Sequence, residues 1–117
     1  MKSPNLKIFA GKRALITGST QGLGLAVARR LASSGCDVVL HGLGDRDAIS
    51  AVQRQIEAEC GVQTFYSPAN LQDPSAIESM MQQAQQALGP IDILINTTEC
   101  RDITGAAIPI DGGWSAM

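Results

Sequence analysis

Apolar positions along the chain fall into four short runs separated by three amphipathic stretches. Ala14-Leu15-Ile16, Asp37-Val38-Val39-Leu40-His41, Val62 to Tyr66 and Ile91-Asp92-Ile93-Leu94-Ile95 read as strands, since each run is short and bounded by turn-forming residues. The unbroken apolar stretch in the second suggests burial on both faces, as in a parallel sheet. Between them, helical spacing takes over. From about Gly22 to Ser34, Leu23, Val27 and Leu31 recur at intervals of four beside Ala28 and Ala32, and predict one stripe facing a sheet. Ile49, Val52 and Ile56 form the next stripe; Ile77, Met81, Ala84 and Leu88 form the third. The methionines at 80 and 81 read as core filler.

The punctuation agrees with this alternation. Gly35 and Gly61 stand where left-handed helix stops are expected, and Gly89-Pro90 ends the third helix. Asp45 or Asp47 caps the second helix; Asp73 caps the third, with Pro74 in its first turn, where a missing N–H costs nothing. Strands separated by helices of this length make right-handed crossovers and a parallel sheet covered on both faces. The rhythm breaks after Asn96. Residues 96–105 are too few for another crossover helix, so Ala106 to Ile110 is a candidate short C-terminal strand, followed by an Asp111-Gly112-Gly113 turn. Joined so directly to the fourth strand, it would pair antiparallel. The chain therefore divides into residues 1–96 and a tail, 97–117.

Chemistry is concentrated where the first strand meets the first helix. Thr17-Gly18-Ser19-Thr20-Gln21-Gly22-Leu23-Gly24 is a glycine-rich turn opening a helix, and unpaired N–H groups there converge with the positive helix terminus on one anion, a pyrophosphate by expectation. Gly18 permits the tight turn, Gly22 lets a diphosphate approach the backbone, and Gly24 lets the helix lie close on the strand.

Composition narrows the alternatives. The 117 residues hold one domain, and a formal net charge of −2 gives no electrostatic reason to expect nucleic acid or an anionic membrane as partner. Only 3% aromatic residues leave no base-stacking platform. No apolar run reaches the ~20 residues of a membrane span, and the first residues lack a signal-peptide core, so a cytoplasmic location is expected. Cys36, Cys60 and Cys100, spaced 24 and 40 apart, fit neither a zinc site nor a disulfide framework and read as reduced structural thiols. The single histidine, His41, cannot build a metal site alone.

With these residues in view, the chain resembles the short-chain dehydrogenase/reductase family, whose fold is an NAD(P)-dependent Rossmann domain. Thr17 to Gly24 matches its TGxxxGxG motif, and Gly11-Lys12 stands where a GK pair usually precedes the first strand. Asp92-Ile93-Leu94-Ile95-Asn96 resembles the strand leading to the family's NNAG motif. Ile103-Thr104-Gly105 and Ile108-Pro109-Ile110-Asp111-Gly112-Gly113-Trp114 resemble the ITG and VDGGW signature near its end. His41-Gly42-Leu43-Gly44-Asp45 together with that ending is most similar to bacterial 3-hydroxybutyrate dehydrogenases. The resemblance implies an α/β partial Rossmann fold of four parallel strands in the order 3-2-1-4, with helices on both faces.

It also implies a gap. Where NNAG should continue, the chain has Asn96-Thr97-Thr98-Glu99, and the family's strand with the catalytic serine, its YxxxK pair and its fourth catalytic asparagine have no counterpart. Tyr66 is the sole tyrosine, and position 70 is Asn70 rather than a lysine. The pattern is that of a family member joined across a large internal deletion, with its seam near Asn96 to Cys100. General acid–base chemistry needs a group within hydrogen-bond reach of the reacting oxygen, and no catalytic residue is assignable, so no activity is expected from the chain alone.

The cofactor half survives by the same comparison. The resemblance places Thr17 to Gly24 on the diphosphate, Asn70 and Leu71 along the adenine, and Asn96 near the adenosine ribose. His41 replaces the acid that commonly grips the ribose hydroxyls; the alternative is a strand-end residue, as Asn70 is alternatively a plain turn former. With no arginine there for a 2′-phosphate, weak NAD binding is expected in preference to NADP. The fourth strand, normally interior, would expose an apolar edge that invites self-association or pairing with full-length relatives. Three readings result: a deleted dehydrogenase, a non-catalytic nucleotide-binding or interaction module, and an oxidoreductase completed by another chain.

Overall fold

The computed structural model describes residues 7–97 of the chain. Seven elements alternate: β1 (Arg13–Thr17), α1 (Gly22–Ser33), β2 (Asp37–His41), α2 (Arg46–Cys60), β3 (Thr64–Ser67), α3 (Pro74–Leu88) and β4 (Ile93–Asn96). All ladders are parallel and the strand order is β3-β2-β1-β4, with Leu15 paired to Val39 on one side and Leu94 on the other. The candidate strand at 106–110 and the tail from 98 onward lie outside the described residues.

Strand alternation sorts the core into two layers. Ala14, Ile16, Val38 and Leu40 point to one side, where Ala28 and Ala32 of α1 and Ile56 of α2 pack. Leu15 and Val39 point to the other, where Ile77, Met80, Met81 and Ala84 of α3 meet them. Helices therefore cover both faces, and the central strands are buried on both. Both methionines fill core, with Met81 wholly excluded from solvent.

Three details differ from the sequence expectation. Leu23 does not join the α1 stripe: it is 73% exposed, and the buried line is Gly24, Ala28 and Ala32. These small residues set the face because they let the helix axis approach the sheet; Leu25, Val27 and Leu31 flank them, partly buried. The third strand begins at Thr64 rather than Val62, and includes Ser67. The fourth begins at Ile93 rather than Ile91. Both late starts have one cause, an aspartate side chain standing in for a ladder partner. Asp37 Oδ1 accepts the Gln63 N–H at 2.9 Å, and Asp92 Oδ2 accepts the Arg13 N–H at 3.0 Å. Ile91 is still fully buried, against α3.

Helix ends follow the sequence closely. Asp45, not Asp47, caps α2 by accepting the Ala48 N–H at 2.9 Å, and Asp73 caps α3 through the Ser75 N–H at 3.0 Å. After α1 the Gly35 N–H bonds the Ala32 carbonyl at 2.9 Å and the Cys36 N–H bonds that of Leu31 at 3.2 Å, a Schellman closure with Gly35, at φ +94°, as the expected left-handed stop. Among the described residues no helix is long and apolar enough to cross a membrane.

The turn after α1 also buries Cys36, which is inaccessible to solvent and whose thiol is pushed up to about 11 by burial, with Asp37 and Asp92 adding to it. Since thiolate is the nucleophile, Cys36 stays inert while half-buried Cys60 reacts. Brief iodoacetamide treatment of the native protein followed by peptide mass mapping labels Cys60 ahead of Cys36; equal labelling would contradict this packing.

Candidate functional site

The carbonyl ends of β1, β2 and β3 converge on one side of the molecule, next to the point where strand order reverses between β1 and β4. Open α/β sheets place ligands there. The turn after β1 is built from inside. Ser19 is wholly buried: its hydroxyl donates to the Ile16 carbonyl at 2.6 Å and accepts the His41 N–H at 2.9 Å, while its own N–H donates to the His41 carbonyl at 2.7 Å. The Thr20 hydroxyl reaches the Leu43 carbonyl at 3.2 Å, fastening the turn to the segment after β2.

The first turn of α1 differs from those of α2 and α3 in having no side-chain cap. Gln21 occupies the cap position and makes no side-chain bond to the helix amides. Gln21, Gly22 and Leu23 are all exposed, and a Cβ built on Gly22, whose φ is +64°, would meet nothing within 4 Å. Gly24 is the reverse case: a Cβ there would lie 2.0 Å from the Gly18 carbonyl oxygen and 2.9 Å from Ser19 Cα. Uncapped amides over open space, held close by a glycine contact beneath, fit a diphosphate.

His41 is the joint between this turn and the next loop. Its side chain is 6% exposed, with Nδ1 3.1 Å from the Gly18 N–H and Nε2 2.8 Å from the Ala69 carbonyl. Gly18 can only donate and Ala69 can only accept, so the ring is the neutral tautomer with its proton on Nε2. Burial holds the imidazole below its usual 6.5, the Ala69 carbonyl opposing part of that drop.

Beyond His41 lies a cleft of about 510 Å³ between the β2 exit (His41, Gly42, Leu43) and the loop after β3, residues 68–72. It brings together three residues singled out in the sequence, His41, Asn70 and Leu71. Asn70 is also a turn former, its Oδ1 accepting the Gln72 N–H at 2.9 Å, and Leu71 belongs to the α3-side core. Asn96 stands apart, at the end of β4, where its Oδ1 accepts the Thr17 hydroxyl at 2.8 Å.

Two residues here escaped the sequence reading. The Thr97 hydroxyl donates to the Thr17 carbonyl, and its N–H reaches Thr17 Oγ1 at 3.1 Å, locking β4 to the start of the turn. The Tyr66 hydroxyl donates to the Gly42 carbonyl at 2.5 Å and its ring lies 5.4 Å from the Arg46 guanidinium. Thr97 carried one signal, its departure from the family's second asparagine; Tyr66 carried none beyond its strand position.

Comparison with known proteins gives the same picture. The profile of the short chain dehydrogenase family matches residues 12–107. D-beta-hydroxybutyrate dehydrogenase of Cupriavidus necator is 43% identical over 86 residues, which are 74% of this chain and 33% of that protein. Its counterpart in Rhizobium meliloti is 41% identical over 85 residues, 73% of this chain and 33% of that one. The chain thus spans about a third of the length of these curated relatives. A dehydrogenase/reductase from Sinorhizobium meliloti superimposes with a TM-score of 0.69 at 38% identity, over 75% of this chain and 34% of that one. L-sorbose reductase of Gluconobacter frateurii, solved with NADPH and L-sorbose, gives 0.69 at 29% identity, over 77% and 34% respectively. Sheet order, glycine turn and sequence all point to one lineage, and the chain belongs to the short-chain dehydrogenase family.

Proposed function

We propose that this chain is the dinucleotide-binding half of a 3-hydroxybutyrate dehydrogenase-like enzyme, which holds NAD weakly and does not catalyse alone. The observation that carries the binding half is the uncapped, open N-terminus of α1 above the Gly24–Gly18 contact. In this reading Thr17 to Gly24 cradle the diphosphate, the cleft formed by His41 to Leu43 and residues 68–72 receives the adenosine, and Asn96 lies toward its ribose. A bound nicotinamide supplies hydride chemistry; the residues here orient the dinucleotide.

The β2 exit supports NAD over NADP. Both His41 ring nitrogens are engaged, Asp45 is a helix cap, and Arg46, the first basic residue after β2, lies over Tyr66. The cleft lining, His41 to Leu43 and residues 68–72, carries no lysine or arginine for a 2′-phosphate. The non-catalytic part rests on the sequence: it contains no tyrosine followed four residues later by lysine, and the hydroxyl of its sole tyrosine, Tyr66, is bonded to Gly42.

Isothermal titration should show saturable binding at millimolar NAD, about −4 kcal/mol, and weaker binding of NADP. No NADH should form when NAD and 3-hydroxybutyrate are added. Absence of heat with NAD refutes the binding half, and turnover refutes the non-catalytic half.

A second reading, an oxidoreductase completed by another chain, is favoured by the edge position of β4. Among the described residues it is the last strand of the sheet, with Ile93, Leu94 and Ile95 only half-buried. Light scattering of the purified chain, and assays with and without a full-length relative, separate the two readings.

A further inference from the structure

The residue where the family commonly places a ribose-gripping acid has been turned inward. We infer that His41 is a positioning residue, which in its neutral form ties the diphosphate turn to the adenine-side loop and so makes dinucleotide affinity depend on a single proton. The inference rests on the dinucleotide-binding reading above but goes beyond it.

Geometry carries it. The ring spans the turn and the loop, accepting from Gly18 at 3.1 Å and donating to Ala69 at 2.8 Å. Gly18 N–H belongs to the same turn whose carbonyl supports Gly24, and Ala69 immediately precedes Asn70 in the cleft wall. A second proton on the ring would set Nδ1–H against Gly18 N–H, two donors facing each other in a buried place. The turn or the loop must then move, and both sides of the proposed site are displaced together.

Among the described residues, no charged group acts on the ring to compensate. The glycine turn and residues 68–72 contain no titratable side chain. On β3, the Tyr66 hydroxyl is bonded to the Gly42 carbonyl. On the segment after β2, Asp45 caps α2 and Arg46 lies over Tyr66. Asp73, beyond the loop, caps α3. Burial lowers the imidazole's proton affinity, so the neutral form persists until the pH falls below 6.5.

Because His41 is the sole histidine, its ring can be read directly by ¹⁵N NMR in the full chain. The expected spectrum shows the Nε2–H tautomer, with the Gly18 amide shift following the ring's titration. NAD affinity, measured by titration calorimetry from pH 7.5 downward, should fall about tenfold per unit once the ring protonates. His41→Asn, whose side-chain oxygen replaces Nδ1 as acceptor for Gly18 and does not titrate, should lose that slope whatever its affinity at pH 7.5. His41→Leu, which offers Gly18 no acceptor, should bind NAD at least tenfold more weakly; if it fails to fold, the wild-type spectrum and the asparagine variant still decide. An Nδ1–H tautomer, a Gly18 amide indifferent to the titration, or equal slopes in wild type and His41→Asn overturns the inference. Absence of NAD binding at pH 7.5 overturns the proton dependence together with the reading beneath it, and is recognised as the latter's failure if the ring still titrates with Gly18.

Discussion

Gly24→Ala removes measurable NAD binding and destabilises the fold by about 3 kcal/mol or more, at or above the upper end of ordinary overpacking. The added Cβ would fall 2.0 Å from the Gly18 carbonyl oxygen and 2.7 Å from its carbon, both backbone atoms, so no rotamer change relieves the contact. Either α1 lifts from β1 or Gly18 moves. The first separates Ala28 and Ala32 from the sheet; the second pulls Gly18 from His41. Gly22→Ala is the control. For the fold its Cβ meets open space and costs only what the residue's φ of +64° imposes, about 1–2 kcal/mol. It is a control for stability alone, since the same Cβ would crowd the diphosphate and weaken NAD binding too. Urea unfolding of both variants tests the contrast, and a Gly24→Ala protein that binds NAD like wild type in calorimetry would show that the close approach is not needed.

Leu15→Ala should lower stability by about 2–5 kcal/mol, a large share of the roughly 5–15 kcal/mol of a typical domain. Leu15 is fully buried in the middle of β1, one of the two strands with neighbours on both sides, and packs with Val39, Met80, Met81 and Ile91. Its truncation leaves a void between sheet and α3 that the rigid strand cannot close. The expected sign is a lower urea midpoint with an unchanged slope. An unchanged midpoint would mean that α3 is not seated on the sheet as described.

Much of this fold is legible because local and tertiary preferences coincide. The spacing of Ile77, Met81 and Ala84 already marks the face of α3, and Asp45, Asp73, Gly35 and Gly61 bracket the helices by their own backbone chemistry. The misses arise where a distant residue decides. β3 and β4 start late because Asp37 and Asp92 bond backbone from another strand, and Leu23 is turned outward because Gly24 must face Gly18. The glycine turn was visible as an anion cradle, but the inward roles of Ser19 and His41 were not. Both depend on β2 lying beside β1 in one particular register, with Leu40 opposite Ile16.

The two-layer core has a dynamic corollary. Leu71, in the cleft wall, is anchored in the α3 layer, whereas the helix beneath the glycine turn belongs to the α1–α2 layer. Cooperative opening of proteins follows such packing units. Amide deuterium uptake should therefore not be uniform across the two halves of the nucleotide site: a partial opening that releases α3 would free the adenine side while the α1 amides stay protected. The halves of one binding site would then have separate lifetimes, kept in step by the central strands and one imidazole.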